Sequence, residues 1–293
     1  WGFIGEHVVS RTVRDSAAML DATCGDYPQQ LMKLPAPVRP YLDETRQEPG
    51  RLRIAFSFDP GLGKALHAEN RRALEVTTRA LAVLGHELVE VKLPLPPESF
   101  VASYASLIAA DVAGTLRLAP MLVGREARSD DVELATWVLA KMGEAQSAGE
   151  VATALWTMQT FSRQWLAWSA DFDVLLTPTV GVPPLPIGAH KLTTMQRQGL
   201  KLLTSLPGAA LLSQRDKIIE AFEPVFESSP YTMIANVTGQ PSMSLPLHWT
   251  DDGLPMGMLF TARIGDEATL FRLAAQVEQV MPWAERVAPH AIP

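Results

Sequence analysis

The chain has 293 residues, 47% of them hydrophobic and 19% charged, a balance that supports a sizeable folded core and excludes disorder over most of the length. Its net charge of −7 and pI near 5.4 come without any clustered excess of Lys and Arg, which excludes a nucleic-acid surface. A single cysteine, Cys24, excludes an intrachain disulfide and suits a reducing compartment, so a cytoplasmic location is expected.

In chain order, the first element is a helix over "TVRDSAAMLDATCG", in which Thr12 and Asp15 resemble a capping box and Val13, Ala17 and Leu20 form the inner stripe. The Pro-rich stretch at 34–50 reads as a surface connector. In "RLRIAFSFD" the residues Leu52, Ile54, Phe56 and Phe58 alternate as a strand requires, and in "HELVEVKL" Val89, Val91 and Leu93 do the same. Between them Ala73, Val76, Ala80, Leu81 and Leu84 recur at helical spacing, with Gly85 where a C-terminal cap belongs. Strand, helix and strand with short links make a crossover unit, so the two strands should be parallel and the fold α/β. Residues 97–170 and 195–226 read as helical, and Trp137, Trp156, Trp165 and Trp168 in the first block are expected to fill the core. Between the blocks, "FDVLLTPTVGVPPLPIG" is a buried-type strand over Val174–Thr177 that ends in a Pro-rich loop. Further on, "PSMSLPLHW" and "GMLFTARI" flank the turn-rich "TDDGLP" as an antiparallel pair. The last helix takes Asp266 as its N-cap and carries Leu270, Leu273, Ala274, Val277 and Met281 on one stripe.

No apolar run approaches the roughly 18 to 20 residues of a membrane span, and no leader pattern opens the chain. The opening on Trp1 instead of Met leads to the expectation of a processed or incomplete piece. The stretch "PYTMIANVTGQPSMSLPLHW" at 230–249 stands out, because Pro230, Pro241 and Pro246 interrupt an almost uncharged run that a central strand would not tolerate. Two readings fit it: tight sheet packing, or backbone bent to approach a ligand.

Self-contained motifs fail. "HELVE" places Glu90, not His, four residues after His86 and lies in a strand, so it cannot make a zinc site. "DPGLGK" at 59–64 lacks the third Gly of a dinucleotide fingerprint and the Lys-Ser/Thr ending of a phosphate loop. Cys24 has no recognisable His partner, the six histidines form no pair at ligand spacing, and no Ser sits in a G-x-S-x-G elbow. No metal or organic cofactor is expected.

Five blocks together carry a resemblance: "SRTVRDSAAMLDATCGD" at 10–26, "LRIAFS" at 52–57, "LGHELVEVKLPLP" at 84–96, "FDVLLTPTV" at 172–180, and "NVTGQPSMSLPL" with "DGLPMGMLF" at 236–260. Collinear and spanning nearly the whole chain, they resemble the amidase signature family, most closely its branch of 6-aminohexanoate cyclic dimer hydrolases and related broad amidases. The resemblance implies a mixed β-sheet flanked by helices and cleavage of carboxylic or cyclic amides without cofactor. It also implies a Ser nucleophile, a second Ser at a cis peptide, and a Lys. A Lys amine with an ordinary pKa near 10.4 is protonated at neutral pH, so burial must depress it before the bridging Ser can relay a proton to it.

The sequence departs from the family at the decisive point. No GGSSGGS-type loop occurs in the 293 residues, and none of the seven Lys stands in a matching context. Residues 1–293 are therefore expected to be the C-terminal portion of a single amidase domain, with a mainly helical insertion around 97–226, and inactive alone. Candidate substrate-binding residues are Thr177, Pro178 and Thr179 at a strand end, together with Ser229 and Asn236; the catalytic set lies outside the sequence, and metal ligands are absent. Ser229 stands where the glutamine amidotransferase branch has an Asp, which points to a plainer amide. The expected partners are a small-molecule amide and either an N-terminal amidase portion or a second copy, because a missing third would bare more apolar surface than a monomer carries. The alternative is a non-catalytic, amidase-like binding or structural protein.

Overall fold

The computed structural model describes residue 3 and residues 5–25, 35–63, 65–94, 97–189, 191–205 and 215–287. Lys33, Lys64 and the first residue of the Pro-rich connector lie outside them. The elements are α1 (Val13–Thr23), α2 (Tyr41–Glu44), β1 (Arg53–Phe56), α3 (Ala68–Val83), β2 (Glu87–Glu90), α4 (Pro97–Arg117), α5 (Ala119–Val123), α6 (Leu134–Glu144), α7 (Ala148–Ser169), β3 (Val174–Pro178), α8 (Thr194–Ser205), α9 (Arg215–Ser228), α10 (Thr232–Thr238), β4 (Ser242–Trp249), β5 (Pro255–Ala262) and α11 (Glu267–Val280). They fall into two units, Pro94–Trp165 with Leu185–Ser228, and Gly2–Leu93 with Leu166–Pro184 and Ser229–Pro293.

The second unit holds a five-stranded mixed sheet in the order β2-β1-β3-β5-β4. β1 runs parallel to β2, as the crossover pattern predicts, and also to β3, while β5 and β4 run antiparallel. β3 is buried along its whole length at the centre, which explains its continuous apolar run. β4 is an edge strand, and its register shifts between Pro246 and His248. Pro is tolerated there because an edge strand and a bulge leave its missing donor without a ladder partner to lose. The run at 230–249 is thus not one strand: its first half is the short helix α10 and its second half the edge strand.

One face of the sheet is apolar. Ile54, Val174, Leu176, Leu245, Leu247, Met256, Met258 and Phe260 alternate onto it, α3 and α11 cover it with Leu74, Leu81, Leu273 and Val277, and α1, packed on α11, adds Val13 to the same core. α3 ends in a Schellman turn: the Gly85 N–H donates to the Ala82 carbonyl at 3.0 Å and the His86 N–H to the Leu81 carbonyl at 3.2 Å, with Gly85 at φ 93°. Its buried stripe is Asn70, Ala73, Leu74, Thr77 and Leu81, whereas Val76, expected inside, is 40% exposed. Spacing of three and four fits either neighbouring stripe, and the sheet selects the one carrying Asn70 and Thr77. Thr12 and Asp266 cap α1 and α11 as expected, accepting from the Asp15 and Thr269 N–H groups.

The Pro-rich connector is not merely surface. Within it α2 buries Tyr41 and Glu44; both Asp21 oxygens accept at its N-terminus, from Tyr41 N–H at 2.6 Å and Leu42 N–H at 2.8 Å. The buried Glu44 carboxylate is held by Arg272 at 2.5 Å and Arg39 at 3.3 Å.

The first unit is helical among its described residues. α4 packs on α6 and α9 and buries Phe100, Ala105, Leu107 and Ala109. Its segment Glu98–Arg117 is, by length and composition, long and apolar enough to cross a membrane, contrary to the reading of the sequence, because its many Ala and Ser residues conceal the apolar run. Of the four tryptophans expected in the core, Trp165 is 1% exposed but Trp156 is 74% exposed. Trp156 sits on the outward side of α7, where helical spacing alone did not distinguish the two sides.

Candidate functional site

The parallel strands β1 and β3 end on the same side of the sheet, and the groups that converge there define the candidate site. After β3, the Thr179 N–H donates to the Gly257 carbonyl at 2.9 Å, and the Thr179 and Ser244 hydroxyls share a hydrogen bond at 2.7 Å. These contacts follow from register. Ser244 and Thr177 both stand opposite Leu259, and Ser242 and Leu175 both stand opposite Thr261, so all six share the face turned away from the apolar core. Ser242 and Thr261 join hydroxyls at 2.8 Å. Gly257 lies between the first pair: a Cβ there would fall 2.6 Å from Ser244 Oγ and 2.8 Å from Thr179 Oγ1. Only a glycine lets the three strands bring the hydroxyls together.

After β1 the loop is folded by its own side chains. The Ser57 hydroxyl donates to the Val91 carbonyl at 2.8 Å and accepts from the Asp59 N–H at 3.1 Å, while Asp59 Oδ1 accepts from the Gly61 N–H at 3.2 Å. The buried Tyr231, just ahead of α10, donates its hydroxyl to the Asp59 carbonyl at 2.7 Å. Burial pushes the Tyr231 phenol well above the usual tyrosine range, and the Asp59 charge adds to this, so the group stays a donor. Gly61 takes φ 64° against this ring, and a Cβ there would stand 2.7 Å from Tyr231 Cε1. Beneath the loop after β3, the fully buried Asn70 donates from Nδ2 to the Val180 carbonyl at 2.8 Å, and its Oδ1 has no hydrogen-bond partner among the described residues.

Of the residues singled out in the sequence, Thr177 is 3% exposed, Pro178 is buried and Thr179 is half-buried, and all three stand at the end of β3. Ser229 is half-buried, two residues before Tyr231, and its side chain makes no hydrogen bond among the described residues. Asn236 is exposed on α10 and donates to the Phe3 carbonyl at 2.7 Å, with no hydrogen bond to Thr179 or Ser244. Gly257, Tyr231, Asp59 and Asn70 were not among the candidates. Gly257 had a signal, a glycine inside a strand pattern; the others had none.

The arrangement offers hydroxyls and backbone groups but no proton-transfer pair. Among the described residues one histidine meets a hydroxyl, His7 Nε2 with Ser16 Oγ at 2.9 Å, on an exposed stretch with no carboxylate on the ring. His248 instead pairs with Glu69 at 3.1 Å, and His86 with Gln276 at 2.9 Å. No group of three His, Cys, Asp or Glu side chains among the described residues could hold a metal ion.

A family model described as Amidase matches residues 6–271. The chain belongs to the amidase signature family. Among curated amidases of this kind, the 6-aminohexanoate-cyclic-dimer hydrolase of Paenarthrobacter ureafaciens is 29% identical over 290 residues, covering 97% of this chain and 55% of the relative. The hydrolase of the same name from Pseudomonas sp. (strain NK87) is 30% identical over 292 residues, with the same two shares of 97% and 55%. The chain thus spans about half the length of the curated relatives it matches. A solved 6-aminohexanoate cyclic dimer hydrolase complexed with substrate superposes with a TM-score of 0.77 at 28% identity, over 94% of this chain and 55% of that one. A bacterial aryl acylamidase, at 18% identity and a TM-score of 0.70 over 95% of this chain and 55% of that one, shares the fold. The mixed sheet flanked by helices is therefore the amidase signature fold.

Proposed function

We propose that residues 1–293 supply the sheet scaffold and one wall of the substrate cleft of an amide hydrolase whose Ser-cisSer-Lys set is provided by residues other than these. The observation that carries this reading is the Thr179–Ser244 hydroxyl pair closed over Gly257 at the end of β3. Small side chains and paired hydroxyls form a surface onto which another backbone, or an amide, can settle at close range. Thr177, Pro178 and Thr179 belong to that wall. Ser229 and Asn236 are assigned to its margin.

The lysines whose side chains are described favour the same reading. Of these, Lys92, Lys191 and Lys201 are exposed and Lys141 is engaged by Glu144 at 2.8 Å. None has the buried setting in which an amine becomes a base at neutral pH. The names of the relatives point to a cyclic or linear oligoamide as substrate, with residues 97–226, as an insertion in a single amidase domain, shaping its specificity. The test is the parent gene product. A product that carries a Lys and a Gly/Ser-rich loop beside this sequence should hydrolyse a cyclic oligoamide. Amide turnover by residues 1–293 alone would overturn the assignment. A parent without either motif would favour a binding protein.

A further inference from the structure

An open cleft of about 340 Å3 lies in the helical unit between the start of α4 and the middle of α7. From α7 it is lined by Trp156, Thr157, Thr160 and Gln164, which recur at intervals that place them on one side of the helix; Ser99 and the buried Phe100 line it from α4. The volume is at the lower end of small-molecule sites. No charged side chain takes part in the lining.

Which of these groups remain free decides the ligand. The Thr157 hydroxyl donates to the Thr153 carbonyl at 2.9 Å, and the Thr153 hydroxyl to the Gly149 carbonyl at 2.9 Å, so both are engaged by the helix backbone. The Thr160 hydroxyl and the Gln164 carboxamide make no hydrogen bond among the described residues. A carboxamide offers an acceptor and two donors in one plane, which matches the carbonyl and N–H of another amide. Trp156, 74% exposed, presents a broad indole face within reach of the same cleft. A sugar would need many more free donors and acceptors than these two side chains supply, and an anion or cation would find no counter-charge.

We propose that this cleft is a binding site for a small neutral amide, with Gln164 pairing with the ligand's amide group and Trp156 covering its apolar body. As an accessory subsite for the substrate class it rests on the amide-hydrolase reading above, while the preference for a neutral amide comes from the cleft's own side chains.

The test uses the 293-residue chain with 15N-labelled tryptophan. The Trp156 indole resonance, assigned by its loss in Trp156→Phe, is followed during titration with benzamide and, separately, with its charged isostere benzoate. Saturable movement by benzamide, with benzoate weaker by about tenfold or more, is expected; Gln164→Leu should weaken benzamide by about fivefold or more. Thr160→Val, which touches the same ligand from the exposed side of α7, provides a second variant whose weakening should be smaller. An unmoved Trp156 resonance at up to about 10 mM benzamide, an equal response to benzoate, or unchanged binding in Gln164→Leu would overturn the proposal. Binding is read here without turnover. A hydrolase with a silent Trp156 would sink only this inference; a responsive Trp156 in a protein whose parent never cleaves amides would sink only the functional reading.

Discussion

Replacing Gly257 with Ala tests how the wall of the site is built. The new Cβ would stand 2.6 Å from Ser244 Oγ, 2.8 Å from Thr179 Oγ1 and 3.2 Å from Thr179 Cβ, all inside ordinary contact distance. The Thr179 backbone is held by its N–H bond to the Gly257 carbonyl at 2.9 Å, which keeps its Cβ in place, so the strain falls first on the nearer Ser244 hydroxyl. Rotating Ser244 away removes the 2.7 Å hydroxyl pair, a loss of about 1 kcal/mol. Crowding that persists against Thr179 costs about 1–3 kcal/mol more. Ala regains about 0.5–1 kcal/mol of the backbone entropy that Gly loses in a strand, so the net destabilisation should be about 1–3 kcal/mol. Urea unfolding of the chain measures it. Ser244→Ala should cost about 1 kcal/mol in the parent chain but nothing, or less than nothing, beside Gly257→Ala, since the clash with Oγ goes with the hydroxyl. Additive effects, or a Gly257→Ala chain as stable as the parent, would refute the close-packed hydroxyl pair.

Three other outcomes follow from single contacts. Gly143 lets α6 approach α4 so closely that a Cβ would lie 2.0 Å from the Ala109 carbonyl oxygen; Gly143→Ala should therefore cost about 2–4 kcal/mol by thermal or urea unfolding, because backbone cannot swing aside. Asp21→Ala removes both acceptors at the start of α2 and should cost about 1–2 kcal/mol, with earlier proteolysis between α1 and β1 as an independent readout. Burial raises the Glu278 carboxyl above its ordinary value, opposed by the Val13 N–H that it accepts and reinforced by Asp15. The folded chain then holds this proton more tightly than the unfolded chain, so stability should fall as pH rises from the unfolded value near 4.5 through the folded one. Glu278→Gln should flatten that decline in unfolding curves measured across the pH range, whereas parallel curves for the two proteins would count against the burial of this group.

The parallel pair and the hairpin were legible because period-two alternation and short links leave few topologies for Leu52–Phe58, Val89–Leu93 and the last two strands, whereas the place of β3 between β1 and β5 was not. The prolines of 230–249 became intelligible only with position: Pro246 is harmless because β4 is at the edge, which no local pattern states. Among the helices, spacing found the elements but not always the buried side. Val76 and Trp156 were both assigned inward and lie outward, since what packs against a helix decides its inner face and that partner is distant in sequence. At the candidate site, Thr177–Thr179 could be singled out as a strand end, while Ser244 and Gly257 join them only through register. Tyr231 and Asn70 had no signal, because a tyrosine donating to a loop carbonyl and a buried amide donating to Val180 read in sequence as ordinary core and surface residues.

The central claim is that no serine within residues 1–293 is activated as a nucleophile. Incubation of the purified chain with a fluorophosphonate, followed by intact-mass measurement, examines every serine at once. The account predicts an unmodified mass under conditions that label an active amidase stoichiometrically. A single stoichiometric adduct, abolished by one Ser→Ala substitution inside this sequence, would contradict it.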